Sequence, residues 1–244
     1  MTEEERVSTL LAEYETGAKT YQAFCERVEH LLNELLEISE IKISAVTSRL
    51  KARSSFEDKI RADKKYLSIT DVTDVAGARV VTFFADDVDR VDELIRDEFD
   101  IDIVNSLDKR AALRSDQFGY QSLHLVTSLN ERRLTQPELQ RFGGLKIEIQ
   151  VRSLLQHAWA EIEHGSYKPK RPIPASVRRS FSRVAGLLEL ADKEFVASRE
   201  DLVSVSNGPQ LCRAEGIAEL VPPFDVEIPF AALQIGRASC RERV

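Results

Sequence analysis

Lys146-Ile147-Glu148-Ile149-Gln150-Val151-Arg152 alternates strictly between polar and apolar residues. On a strand this puts Ile147, Ile149 and Val151 on one face and Lys146, Glu148, Gln150 and Arg152 on the other. A solvated sheet face gives the same alternation, so the neighbouring segments decide what this one is for. Val75 to Phe84 is mostly apolar and β-branched, fit for a central strand. Ile41 to Val46, Ile101 to Val104 and Gln121 to Ser128 read as further strands. Between them lie helical patterns: Ser54 to Lys65, with Ser54 or Ser55 as N-cap, and Asp86 to Phe99, opened by acidic residues as the helix dipole prefers. Leu154 to His164 is another helix, packing through Leu154, Leu155, Ala158 and Ile162. Residues 105–119 are polar and irregular. Strands and helices alternate through 41–165, which predicts an α/β (mixed α+β) domain with a sheet of about five strands flanked by helices.

The flanks are helical. Residues 3–38 carry Tyr21, Phe24, Val28, Leu31, Leu32 and Leu35 at three- and four-residue steps, a one-sided apolar stripe. Ala175 to Arg199 forms a second long helix with Leu187, Leu188, Leu190 and Phe195 facing apolar surroundings. The organisation read from this is an N-terminal helical segment (1–40), a domain (41–200), and a linker opening a further region (201–233). The last stretch, 234–244, resembles a translated sequencing adapter, which predicts that the natural chain is interrupted near Leu233. Without that stretch the net charge falls from −7 to −9.

The 244 residues are 43% hydrophobic, enough for one sizeable core. No apolar run approaches the roughly 18 residues of a membrane-spanning helix. The acidic N-terminus has no apolar core behind it and does not read as a secretory signal. Cys25, Cys212 and Cys240 are too scattered for a disulfide framework, so a cytoplasmic location is expected. A charge of −7 argues against a surface that grips a nucleic-acid backbone throughout, but not against a local pocket for phosphates.

Four further segments carry chemistry. In Thr73-Asp74-Val75-Ala76-Gly77-Ala78-Arg79-Val80-Val81, Asp74 stands at the mouth of an apolar strand and Gly77 permits close approach of a backbone or ligand. Arg79 lies inside the apolar run, where a charge is costly unless paired. Its partner is either a phosphate or a buried Asp. Asp74 and Glu148 together suit Mg²⁺, which takes one or two carboxylates plus nucleotide phosphates. Arg49, Lys51, Arg53 and Lys59 cluster around a helix start, a cradle for phosphate or simply a charged surface helix. In Phe118-Gly119-Tyr120-Gln121-Ser122-Leu123-His124, the side chains of Tyr120, Ser122 and His124 share one strand face, suited to stacking on a base or to half-burial in a core. His157, Glu161 and His164 share a helix face, but without HExxH or a nearby Cys zinc is a poor reading.

In this order the segments resemble the synthetase domain of the RelA/SpoT family of alarmone (p)ppGpp synthetases. The matching elements are R-x-K-x-x-x-S-x-x-x-K (Arg49, Lys51, Ser55, Lys59), D-x-x-G-x-R (Asp74, Gly77, Arg79), G-Y-x-S-x-H (Gly119 to His124) and E-x-Q-x-R (Glu148, Gln150, Arg152). They are followed by Trp159 to His164 and Tyr167-Lys168. The resemblance covers about 41–200. It implies a nucleotidyltransferase-like mixed sheet and transfer of the β,γ-pyrophosphate of ATP to the 3′-hydroxyl of GDP or GTP. It further implies that Arg49, Lys51, Ser55, Lys59 and Arg79 bind ATP, that Tyr120, Ser122, His124, Gln150 and His157 line the acceptor, and that Asp74 binds Mg²⁺. Glu148 would bind Mg²⁺ or accept the 3′-hydroxyl proton. Two departures stand out: Ser115-Asp116-Gln117-Phe118 precedes the Gly-Tyr pair where many members carry Lys, and His157 replaces the usual Asn or Asp. No His is followed by Asp, so synthesis without hydrolysis is expected.

Two alternatives remain open at the level of sequence. One is a toxin-type relative acting on the tRNA 3′ end, for which Lys168-Pro169-Lys170-Arg171 and Arg178-Arg179 would be the basic surface. The other is an inactive nucleotide-binding module. Residues 1–40 either pack on the domain or mediate homo-oligomerisation.

Overall fold

The computed structural model describes residues 2–108, 122–167 and 174–207. The elements are α1 (Glu3–Ile38), β1 (Ile43–Leu50), α2 (Arg53–Ala62), β2 (Ala76–Thr82), α3 (Asp87–Glu98), β3 (Phe99–Ile101) and β4 (Leu107–Asp108). They continue with β5 (Leu123–Leu129), the short α4 (Glu131–Leu134), β6 (Ile147–Ser153), α5 (Leu154–Tyr167) and α6 (Ala175–Asn207). One mixed sheet runs in the order β1-β2-β6-β5-β3, with β4 on β5. The β2–β6 pair is parallel and the other pairs are antiparallel. Residues 1–203 form one compact unit; of the second, 204–244, the described residues are 204–207. No helix among the described residues is long and apolar enough to cross a membrane.

The alternation in β6 is obeyed residue by residue. Ile147, Ile149 and Val151 are fully buried in one core with Ala76, Ala78 and Val80 of β2 and Leu123 and Leu125 of β5. Helix α1 covers this face through Val7, Leu10, Phe24, Val28, Leu32 and Leu36, and α3 through Val88, Val91 and Ile95. A one-residue slip of β6 would expose the three apolar side chains, each worth roughly 1.5–3 kcal/mol of burial. The register is therefore fixed by the core, and with it the row of polar side chains on the opposite face.

Several expectations shift. The first strand is 43–50 rather than 41–46, because Thr47 to Leu50 continue pairing with Ala76 to Arg79. Arg49 thus ends a strand instead of preceding a helix. The following helix is N-capped by Ala52, without a side-chain bond, rather than by Ser54 or Ser55. The strand read at 101–104 lies at 99–101, since Asp102 closes a turn by accepting from the Asn105 N–H at 3.1 Å. The sheet has a sixth strand, β4, too short to leave a pattern.

On α5 the stripe Leu154, Ala158, Ile162 is exposed, and Gln156 and Trp159 are buried instead. Gln156 closes a reciprocal cap, its N–H donating to Ser153 Oγ (3.1 Å) and its side chain accepting from the Ser153 N–H (2.9 Å). Trp159 packs edge-on against Phe181 of α6, 5.2 Å between centroids. On α6 the exposed residues include Leu187, Leu190 and Phe195, while Ala185 and Asp192 are buried.

Candidate functional site

The polar face of the sheet is assembled by register. Arg49 pairs with Gly77 and Gly77 with Glu148; one step along, Arg79 pairs with Gln150 and Gln150 with His124. Residues distant in sequence thus meet in two rows on adjacent strands.

The loop after β1 completes the first row. The Lys51 N–H donates to the Val75 carbonyl at 2.8 Å, which brings the Lys51 and Asp74 side chains together. Lys51 Nζ and Lys59 Nζ each lie 2.9 Å from an Asp74 carboxylate oxygen. Burial pushes the Asp74 carboxyl up, but the hydrogen bonds and charges of Lys59 and Lys51 outweigh it and hold it below the usual carboxylate range. Lys59 shows the reciprocal balance: burial opposes its charge, and Asp74 more than offsets this. Asp74 is therefore an anion between two cations.

Glu148 is the second anion. Burial alone would raise its pKa, but a hydrogen bond and charge from His124 pull it below the usual range, against the nearby charge of Asp74. His124 Nδ1 contacts Glu148 Oε1, and His124 Nε2 lies 2.7 Å from Ser122 Oγ. Gln150 adds a hydrogen bond to Glu148, and its Oε1 accepts from Arg152 Nη2 at 2.7 Å.

Beside these lies a cationic cluster. Arg79 Nη1 pairs with Glu161 Oε1 of α5 at 2.9 Å, so its partner here is an exposed glutamate rather than a buried aspartate. His157 Nδ1 is 3.8 Å from the same oxygen. Burial and the charge of Arg79 push Arg152 down to about 10, and the same two causes lower His157. The Nε atoms of Arg79 and Arg152 and Nδ1 of His157 are buried without a hydrogen-bond partner. The two arginine N–H groups are costly to leave unsatisfied, and an anion bound against them would meet that need.

Of the residues singled out from sequence, Lys51, Lys59, Asp74, Ser122, His124, Glu148 and Gln150 converge, and Arg79 and His157 lie in the adjoining cluster. Arg49 and Ser55 are exposed at its margin, Ser55 in the first turn of α2. Tyr120, Lys168, Lys170 and Arg171 lie outside the described residues. Among the described residues no group of three or more His, Cys, Asp or Glu could hold a metal; the side chain of His164, third member of the zinc reading, lies outside what the structure describes. Two ionised carboxylates near enough to influence each other do fit Mg²⁺, which completes its shell with water and substrate phosphates. Sequence reasoning missed Glu161 as the partner of Arg79, and Arg152 as a member of the chain through Gln150.

Residues 48–171 match the family model described as "Region found in RelA / SpoT proteins". Among curated proteins the chain is 32% identical over 165 residues to GTP pyrophosphokinase YjbM of Bacillus subtilis (strain 168), covering 66% of this chain and 74% of that one. Among solved structures it resembles the small alarmone synthetase 1 from Bacillus subtilis bound to its product pppGpp. The TM-score there is 0.65 at 27% identity, over 79% of this chain and 99% of that one. The same enzyme bound to AMPCPP aligns with a TM-score of 0.58 at 25% identity, over 79% of this chain and 99% of that one.

Proposed function

The chain belongs to the RelA/SpoT family, and from that membership we propose that it is a GTP pyrophosphokinase of the small alarmone synthetase kind. It moves the β,γ-diphosphate of ATP to the 3′-hydroxyl of GDP or GTP and has no hydrolase function. The observation that carries this reading is the registered pair Gly77–Arg79 and Glu148–Gln150, flanked by Asp74 between two lysines. The relatives bound to pppGpp and AMPCPP support nucleotides as substrates.

In the proposed reaction the acceptor 3′-oxygen attacks the β-phosphorus of ATP. The bond from that phosphorus to the α,β-bridging oxygen breaks, and AMP leaves. Such a transfer needs alignment and charge neutralisation more than covalent help. Lys51 and Lys59, now held by Asp74, hold the triphosphate when it offers them further negative charge. Arg49, Ser55 and Arg79 complete the donor side. Arg79 exchanges Glu161 for phosphate oxygens or stacks on adenine. Glu148 keeps Oε1 on His124 and takes the 3′-hydroxyl proton at Oε2. Asp74 and Glu148 would hold Mg²⁺, whose charge there would offset that gathering on the phosphates. Tyr120, Ser122, His124, Gln150 and His157 lie toward the acceptor.

The test is transfer of label from γ-³²P-ATP to GDP, GTP or deacylated tRNA, with wild type and Glu148→Gln. Label should appear on a guanine nucleotide, and Glu148→Gln should lower the rate by about 10²–10⁴-fold while ATP still binds. Label on tRNA instead would move the protein to the toxin-type reading. Full activity in Glu148→Gln would remove Glu148 from the mechanism.

A further inference from the structure

Lys51 and Lys59, the two cations on Asp74, sit on a short segment whose own sequence does little to fix it. β1 ends at Leu50 and α2 starts at Arg53, with Ala52 as an N-cap that makes no side-chain bond. The segment is held instead by α1, at both ends. At the front, the Tyr14 hydroxyl lies 2.5 Å from the Lys51 carbonyl oxygen. A carbonyl only accepts, so the hydroxyl donates. The Lys51 N–H donates to the Val75 carbonyl, so both polar backbone groups of this residue are fixed by distant partners. At the back, the Arg6 guanidinium donates through Nη2 to the Ile60 carbonyl at 2.7 Å and through Nη1 to the Tyr66 carbonyl at 3.0 Å. The Ile60 carbonyl belongs to the last turn of α2, where carbonyls lack intrahelical partners and a positive charge suits the dipole. Tyr66 turns its ring to Lys59 Nζ, 5.8 Å from the centroid. Tyr14 and Arg6 are each 6% exposed, and Tyr14 packs on the fully buried Phe56 of α2, 4.9 Å between centroids. Glu15 and Glu4 of α1 also pair with Arg53 and Arg61 of α2, but exposed ion pairs of this kind contribute little.

We infer that Tyr14 and Arg6 are positioning residues for the donor nucleotide: Tyr14 sets Lys51, and Arg6 sets Lys59, where the two lysines meet the triphosphate of ATP. This rests on the reading of those lysines as phosphate ligands. A lysine carries its charge on a long flexible stem, so its reach is defined only where its backbone is. Without the Tyr14 hydroxyl, the Lys51 carbonyl loses the bond that pins the turn between β1 and α2. Lys51 then meets the phosphates from a less definite place. Without the Arg6 fork, the end of α2 and the chain at Tyr66 part, and Lys59 loses its place in the same way. The acceptor residues on β5 and β6 are untouched by either change.

The experiment measures ATP affinity of the full chain by calorimetry, well below the melting temperature, for Tyr14→Phe, Lys51→Ala and the two combined. Phenylalanine keeps the ring on Phe56 and removes only the hydroxyl. Tyr14→Phe should weaken ATP binding by about three- to tenfold, with the KM for the guanine nucleotide changing less than about twofold. In the Lys51→Ala background the same substitution should cost nothing further, because Tyr14 acts through Lys51. Arg6→Lys, which gives up one of the two carbonyls, should also weaken ATP binding. Its effect should vanish in Lys59→Ala and persist in Lys51→Ala. In ligand-free protein both variants should speed amide hydrogen exchange across 51–60 and leave β6 protected as in wild type.

A Tyr14→Phe that melts lower yet binds ATP as wild type does would reduce the hydroxyl to a structural role and overturn the inference. So would a loss of equal size with and without the Lys51 side chain. If Tyr14→Phe does not fold, Arg6→Lys with Lys59→Ala decides by the same criteria. If wild type binds no ATP, or Lys51→Ala and Lys59→Ala bind it as tightly as wild type, the reading of the lysines fails. The exchange rates across 51–60 then decide alone whether α1 sets their place, and unchanged rates would overturn that.

Discussion

Gly77 lies on the polar side of β2, in register with Arg49 and Glu148, and a β-carbon added there would come no nearer than 3.8 Å to another atom. The protein itself does not need glycine at this position. A ligand laid across the sheet between Arg49 and Glu148 would. Valine suits a strand, so Gly77→Val should fold with a melting temperature within a few degrees of wild type. Its affinity for ATP, read by calorimetry, should fall by at least about tenfold, on the order of 1.4 kcal/mol. Unchanged affinity in a well-folded Gly77→Val would place the nucleotide elsewhere. The same residue illustrates what sequence can deliver: the D-x-x-G-x-R spacing marked Gly77 and Arg79, but not the exposed Glu161 that holds Arg79 at 2.9 Å. A carboxylate arriving from a helix 82 residues downstream leaves no local pattern.

At the scale of elements, α5 and α6 meet around a buried carboxylate. Ser153 Oγ caps α5 and donates to Asp192 Oδ2 of α6 at 2.7 Å. Asp192 is 4% exposed, and burial raises its pKa to about 6. An ordinary aspartate in the unfolded chain titrates near pH 4. The folded state therefore binds the proton more tightly. The stability this contributes is fully present below about pH 4, declines between 4 and 6, and is gone above the folded value.

Above pH 7 the ionised, buried Asp192 is a burden on the order of 2–3 kcal/mol relative to a neutral group of the same shape. Asp192→Asn should melt several degrees above wild type at pH 8, and the difference should vanish by about pH 4. A difference independent of pH would exclude titration of Asp192 as its cause. The helix α1 was readable because its stripe is one-sided over 36 residues, and β6 because its alternation is unbroken. The exposed apolar side of α6 was misread: its leucines and phenylalanine repeat at helical steps, but the face that packs runs through Phe181, Ala185 and Asp192. Periodicity identifies a helix more securely than it identifies which side is covered.

For the molecule as a whole, the fold acts as a register device. The apolar face, sealed by α1 and α3, fixes how β1, β2, β6 and β5 align, and that alignment sets two anions, two lysines and a cationic cluster on the opposite face. The residue types were legible in the sequence. Their links, Ser122 to His124 to Glu148 and Gln150 to Arg152, depend on strand pairing and became visible only with the sheet. The central claim is that this face directs attack at the β-phosphorus of ATP, and the leaving group reports it most directly. Wild-type protein with ATP, GTP and Mg²⁺ should be followed by ³¹P NMR. The account predicts AMP and a guanine nucleotide bearing a new 3′-diphosphate, formed in equal amounts. ADP with inorganic phosphate or a 3′-monophosphate product would contradict it, because those require attack at the γ-phosphorus.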